Sequence, residues 1–180
     1  MSRKMNISIR QEKKTDYSAV FELIENAFKD LEMSDHKEQF LVQRLRNSTA
    51  FVPELSLVAE YEHEIIGHIL LTKIRIKNDQ SEFQSLALAP VTVLPKYQKQ
   101  GIGGMLIEEA HKKAKELGFK SVILLGHADY YPRFGYRKAS EYGIKLPFDV
   151  PDEYCMVIEL TENALAGVKG TVEYPKEFNE

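Results

Sequence analysis

Two stretches of the chain combine residue types that can do chemistry. The first is PKYQKQGIGG, residues 95–104, where Gly101, Gly103 and Gly104 fall just ahead of a helical run and Lys96 and Lys99 precede them. The first amides of a helix have no internal acceptors, and the helix dipole concentrates partial positive charge there. A glycine-dotted turn lets an anion approach those amides closely, so this turn is a candidate phosphate site with room for a diphosphate. A dinucleotide fingerprint would need glycine where Leu106 stands, and a nucleotide-triphosphatase loop would need a Gly-Lys-Ser/Thr that is absent. Glycines alone serve tight helix-to-sheet packing equally well, so the surrounding residues must decide.

The strand running into the turn, FQSLALAPVTVL, contains Pro90. Proline cannot donate to a β ladder, so inside a central strand it marks a bulge and a local splaying from one neighbour. Splayed strands expose unpaired amides and carbonyls that can pair with an extended, amide-bearing ligand. A ligand with a diphosphate at one end and peptide-like amides at the other is coenzyme A.

The second stretch is HADYYPRFGY, residues 127–136. Together the two stretches resemble the GNAT superfamily of N-acetyltransferases. VTVLPKYQKQGIGGMLIEEA is similar to that family's acyl-CoA motif, in which a strand ending in Val-x-Pro leads to Gln/Arg-x-x-Gly-x-Gly/Ala, here Gln98, Gly101 and Gly103. YYPRFGY is similar to its later Tyr-x-x-x-Gly-Phe/Tyr element, here Tyr131, Gly135 and Tyr136. The resemblance covers residues 5–160 and looks closest to a bacterial subgroup of predicted small acetyltransferases. It implies that backbone groups of Val91, Thr92 and Val93 pair with the pantetheine arm. It further implies that the amides of Gln98, Lys99, Gln100, Gly101, Ile102, Gly103 and Gly104 hold the diphosphate, with Tyr131 protonating the departing thiolate. Acetyl-CoA is the expected acyl donor, and a homodimer through the C-terminal strands would fit the family.

Acetyl transfer to an amine needs a neutral nucleophile, a donor for the thioester oxygen and an acid for the sulfur. The amide of Val91 or Thr92 beside the bulge is the candidate oxygen donor, and Tyr130 competes with Tyr131 as the acid. A lysine-type amine has a pKa of about 10.4 and must lose a proton first. Glu60, His68, His127 and Asp129 are the candidate bases. His127 has the most suitable ordinary pKa and ends a parallel strand, so it joins Tyr131 as a candidate catalytic residue. His68, flanked by Ile66, Ile69 and Leu70, reads as a strand histidine with its hydrogen bonds met.

These residues must be positioned by a fold with one parallel crossover. NISIR (6–10) alternates as an edge strand, and Thr15 or Asp16 can cap a helix with Val20, Leu23, Ile24, Ala27 and Phe28 inward. A second helix is expected over Asp35–Arg46, with Phe40, Leu41 and Leu45 inward. LSLVAEY and EIIGHILLTKIRI form a hairpin around EHE. A helix over Gln100–Leu117, with Ile102, Met105, Leu106, Ala110, Ala114 and Leu117 inward, connects the Pro90 strand to the buried strand SVILLG. That makes a β-α-β unit with parallel neighbours. Short strands near 136–146 and 154–160 follow, and GTVEYPKEF adds a last edge strand. The fold class is mixed α/β (α+β): one mixed central sheet of six to seven strands flanked by helices, with a splayed central parallel pair.

The 180 residues match one domain spanning 1–180, with 43% hydrophobic and 28% charged residues. A net charge of -3 argues against a nucleic-acid partner, and no run approaches the ~18 apolar residues of a membrane span. With no signal-like N-terminus and the single Cys155 placed in an apolar run as a buried thiol, the cytoplasm is the expected compartment. No metal is expected, because the five histidines lack ligand spacing and one cysteine excludes a thiolate-rich site. The chain is thus expected to acetylate an amine on a small molecule or peptide. A non-catalytic acyl-CoA-binding or sensing domain is the alternative.

Overall fold

The structure is a computed structural model describing residues 4–180. Its centre is a nine-stranded mixed sheet. Strands β1 (Ser8–Gln11), β2 (Phe51–Tyr61), β3 (Glu64–Lys77) and β4 (Glu82–Val93) pair antiparallel in succession. Next, β5 (Ser121–Leu125) lies parallel to β4. The short β6 (Arg137–Lys138) pairs with β8 (Cys155–Glu159), which is antiparallel to β5. Strand β9 (Gly170–Glu173) extends the far half of β3 where β2 has ended, and β7 (Ile144–Lys145) pairs with β9. The main path therefore has seven strands, and β7 and β9 bring the sheet to nine. The expected C-terminal strand is real, but it joins β3 rather than an edge of the main path.

Helix α3 (Ile102–Glu116) packs on one face of the sheet, and α1 (Tyr17–Phe28) and α2 (Glu38–Arg46) pack on the other. Alternation along β3 divides the faces. Ile69 and Leu71 join the core under α3, whereas Leu70 lies with Val20, Ile24, Val42 and Leu45 of α1 and α2. Ile102, Leu106, Ile107, Ala110 and Ala114 form the buried stripe of α3. Each fully buried Ile or Leu is worth about 1.5–3 kcal/mol, enough to fix the helix on β2–β4 and thereby its N-terminus. Met105 and Leu117, expected inside, are 40% and 46% exposed, because the stripe turns through Ile107 instead.

Helix α2 starts three residues later than expected and buries Gln39, Val42 and Leu45. Phe40 is 46% exposed, with its ring edge-on to Phe21. The carboxylate of Asp16 caps nothing on α1. It accepts from the Lys13 amide (2.7 Å) and pairs with Arg10, which holds it below the usual carboxylate range. The β2–β3 hairpin closes through Glu62 and His63, both in the left-handed region, as its two-residue loop requires.

Candidate active site

The Pro90 bulge is visible in the register. Ile69 of β3 faces Val91 of β4, yet Leu71 faces Leu88, so β4 carries one extra residue around the Ala89–Pro90 bond. On its other flank β4 pairs with β5 only at Leu86–Val122 and Ala87–Ile123. Strand β5 continues to Leu125 against β8. The central parallel strands are therefore splayed from Leu88 onward, at the C-terminal end of β5.

Which backbone groups this frees follows from one hydrogen bond. The Leu94 amide donates to Ile66 O (2.9 Å), and antiparallel pairing repeats every second residue, so Thr92 also turns its backbone toward β3. Val91 and Val93 turn theirs toward the cleft. Of the expected trio, only these two offer backbone groups there, whereas the Thr92 amide faces β3. The Val93 carbonyl is already engaged, because Gln98 Nε2 donates to it (3.0 Å) and closes the turn from β4 to α3.

In that turn Lys99 (φ 64°) and Gly101 (φ 82°) adopt left-handed backbone. Among the described residues no group outside α3 accepts from the amides of residues 99–104, and nothing lies within 4 Å of where a Gly101 Cβ would stand. A row of free donors in open space is what a diphosphate requires, so the residues present fit one. Lys99 and Gln100 are exposed, Gly103 and Gly104 half-buried, and the Ile102 side chain is core. Lys96 is less available than its sequence position suggests, since it pairs with Glu64 (3.4 Å), which raises its pKa.

The aromatic element stacks on this turn. A Cβ on Gly103 would stand 3.2 Å from the Tyr130 hydroxyl, and one on Gly104 would stand 3.2 Å from the Phe134 ring. The Tyr131 ring lies on Gly126 at the end of β5, where any Cβ would overlap it. Burial pushes the Tyr131 hydroxyl up to about 12, so it stays protonated at neutral pH, and it has no hydrogen-bond partner among the described residues. Tyr136 is buried with its hydroxyl 2.8 Å from His111 Nε2 on α3, a pairing the sequence did not signal.

The candidate bases separate. His127 is exposed, and its carbonyl accepts from the Tyr130 amide (3.2 Å); Asp129 is exposed as well. Glu60 pairs with Arg10 (3.0 Å). His68 is fully buried in a network unseen in the sequence. Arg46 donates to both carboxylate oxygens of Glu12 (3.1 and 2.7 Å), Ser56 Oγ donates to Glu12 Oε1 (3.0 Å), and His68 Nε2 lies 3.0 Å from Ser56 Oγ. Burial and the charge of Arg46 push His68 down to about 3. The expectation of a fully hydrogen-bonded histidine is only half met, because Nδ1 has no partner. A hollow of about 650 Å³ lined by Lys73, Arg75, Glu82 and Tyr174 lies at the opposite end of β3 and β4 from the splay.

An acetyltransferase (GNAT) domain model matches residues 8–139. The N-acetyltransferase YjhQ of Escherichia coli (strain K12) is 37% identical over 142 residues, 78% of this chain and 76% of that relative. The chain belongs to the GNAT family of acetyltransferases. Acyl transfer is accordingly its class of chemistry. Among solved GNAT structures, E. coli YhbS in complex with CoA superposes with a TM-score of 0.88 at 26% identity, covering 100% of this chain and 96% of that one. A GNAT acetyltransferase from Brucella melitensis in complex with acetyl-CoA gives 0.79 at 30% identity, covering 97% and 99%. The mixed sheet flanked by helices is thus the GNAT fold. Among the described residues no helix is long and apolar enough to cross a membrane, and no cluster of His, Cys, Asp or Glu could hold a metal.

Proposed function

We propose that the chain, acting as one domain, moves the acetyl group of acetyl-CoA to a primary amine of a small molecule or peptide by direct attack on the thioester. The observation that carries this reading is the alignment of two sets of unpaired backbone groups. The outward Val91 and Val93 groups on the splayed strand lead, through a turn closed by Gln98, into the free amides of residues 99–104. Bound there, acetyl-CoA supplies an activated acyl group. The turn amides hold its diphosphate, Val91 and Val93 pair with its amide arm, and the Val91 N–H donates to the thioester oxygen.

Tyr131 is the acid in this reading. Its ring stands at the end of β5 beside the splay, and its hydroxyl is protonated and unengaged. Tyr130, whose hydroxyl lies over Gly103, belongs with the diphosphate end. Magnitude excludes His68 as the base. Moving a proton from an amine of pKa about 10.4 to an imidazole near 3 runs uphill by about 10 kcal/mol. His127, exposed beside the tyrosine element, remains the base candidate from this chain.

The test is thiol release from acetyl-CoA with a panel of primary amines, comparing wild type with Tyr131→Phe and His127→Gln. The expected result is release by wild type with at least one amine, and loss of turnover in Tyr131→Phe with acetyl-CoA affinity unchanged. Binding of CoA with no release from any amine would favour a non-catalytic binding domain. Equal turnover in wild type and Tyr131→Phe would remove Tyr131 as the acid.

A further inference from the structure

Buried polar side chains without hydrogen-bond partners are rare, and here two of them face each other across the strand that bears the site. His68 on β3 and Thr92 on β4 are Cα partners in the register, 0% and 3% exposed. His68 Nδ1 and Thr92 Oγ1 both lack a partner among the described residues. Both side chains lie on the face covered by α1 and α2, since His68 also pairs with Val58 of that core.

The far side of His68 fixes the direction of the bonds. Ser56 donates its one proton to Glu12, so its oxygen accepts, and His68 must carry its proton on Nε2 to donate to it. Nδ1 is therefore a bare acceptor. The Thr92 hydroxyl, on the residue directly opposite and on the same face, can supply a proton to it. The two are opposite residues in a hydrogen-bonded pair, whose Cα atoms sit about 5.5 Å apart. A rotation about Thr92 χ1 or one bridging water closes the gap.

We propose that the Thr92 hydroxyl donates to His68 Nδ1, directly or through one water, and so ties the free segment of β4 to the buried Glu12–Arg46 ion pair. His68 and Thr92 are positioning residues, touching neither substrate nor acyl group. From Leu88 onward β4 has lost β5, so residues 91–93 are held by β3, by the Gln98 bond to the Val93 carbonyl and by their side chains. Val91 and Val93 anchor the segment on the α3 side, and Thr92 is its anchor on the other. The continuous order Thr92 to His68 to Ser56 to Glu12 ends on a carboxylate already fixed by Arg46, so each donor strengthens the next. The inference rests on the reading of Val91 and Val93 as the groups that pair with the acyl-CoA arm.

The test compares wild type, Thr92→Val and Thr92→Ser, all confirmed folded by thermal melting. Histidine-selective ¹⁵N NMR should show His68 as the Nε2–H tautomer, with Nδ1 unprotonated between about pH 5 and 9. Its Nδ1 resonance should carry the upfield shift of a hydrogen-bonded acceptor in wild type and Thr92→Ser, and lose that shift in Thr92→Val. Calorimetric Kd for acetyl-CoA should rise about fivefold in Thr92→Val and return to within about twofold of wild type in Thr92→Ser. An identical Nδ1 resonance in wild type and Thr92→Val overturns the proposal, as does wild-type affinity in Thr92→Val. Gly103→Glu separates the two levels. If it abolishes acetyl-CoA binding while Thr92→Val changes nothing, only the tie to His68 falls. If it too leaves binding intact, the reading of the whole site falls.

Discussion

Gly103→Glu opposes the two uses a glycine can have in the turn, because packing and anion binding predict opposite effects on stability and affinity. Gly103 is in the first turn of α3 and has no positive φ, so any residue can adopt its backbone. Replacing glycine inside a helix recovers about 0.5–1 kcal/mol, and a carboxylate in the first turn adds about 0.3–1 kcal/mol through the dipole. Against this stands one close contact, 3.2 Å from the new Cβ to the Tyr130 hydroxyl, the free end of a side chain able to yield by a few tenths of an ångström. The variant should therefore be more stable than wild type by about 1 kcal/mol, a rise in Tm of about 2–4 °C for a chain of this size. The same carboxylate sits over the free amides of residues 99–104 and repels a diphosphate. Isothermal titration with CoA should show affinity falling by a factor of 100 or more, since the charge occupies the site as well as opposing the ligand. A drop in Tm of several degrees would mean that the glycine is there for packing. A raised Tm with CoA affinity within tenfold of wild type would mean that the diphosphate is not held at this turn.

Tyr131→Phe should lower the rate of thiol release by about 10²–10⁴, with calorimetric affinity for acetyl-CoA unchanged, since the ring still rests on Gly126. Arg46→Ala should destabilise the fold by about 3–5 kcal/mol in urea titrations, because it leaves Glu12, 1% exposed at its side chain, as a buried charge without its partner. Acid should weaken the protein through two histidines whose folded pKa values lie below the ordinary 6.5, His68 near 3 and His111 near 4. Between the folded and unfolded values only the unfolded chain binds these protons, so their contribution is whole above about pH 6.5 and is lost as pH falls toward 4 for His111 and toward 3 for His68. The steepest loss approaches about 2.7 kcal/mol per pH unit, and urea unfolding at pH 7 and pH 5 measures it. A flat profile between those two pH values would mean that the histidines are not held neutral in the folded protein.

The elements that depend on local pattern were legible in the sequence. Glycines and lysines ahead of a 3.6-residue period announced α3, and the polar EHE between apolar strands announced the β2–β3 hairpin. Pro90 inside an apolar run announced both the bulge and the splay. What failed was finer than the element. The inward faces of α2 and α3 were each misjudged by a residue or two, because an apolar side chain can be spared burial when a neighbour already fills the core. Phe40 meets Phe21 at the surface, and Met105 yields to Ile107. The C-terminal strand was expected, but its place in the sheet was not. A segment of four residues has no period to read, and β9 lies beside β3 because the pairing of β2 with β3 ends at Phe51 and leaves the far half of β3 open.

The site divides along the same line. The half proposed to bind acyl-CoA is written in adjacent residues, because a turn and a bulge are local devices. Its polar half is assembled across distance: Glu12, Arg46, Ser56 and His68 meet only after β1, α2, β2 and β3 are in place. One signal was available in principle. Ser56 and His68 fall on the same face once the hairpin at Glu62–His63 fixes the register, and a serine diagonal to a histidine within two apolar strands needs a charge or a third polar group to complete its bonds. Nothing in the order of residues named Glu12 and Arg46 as that third group. In the folded chain Thr92 stands opposite the unpartnered Nδ1 of His68 as the proposed last donor, so the strand that carries the local signature also carries the end of the nonlocal one.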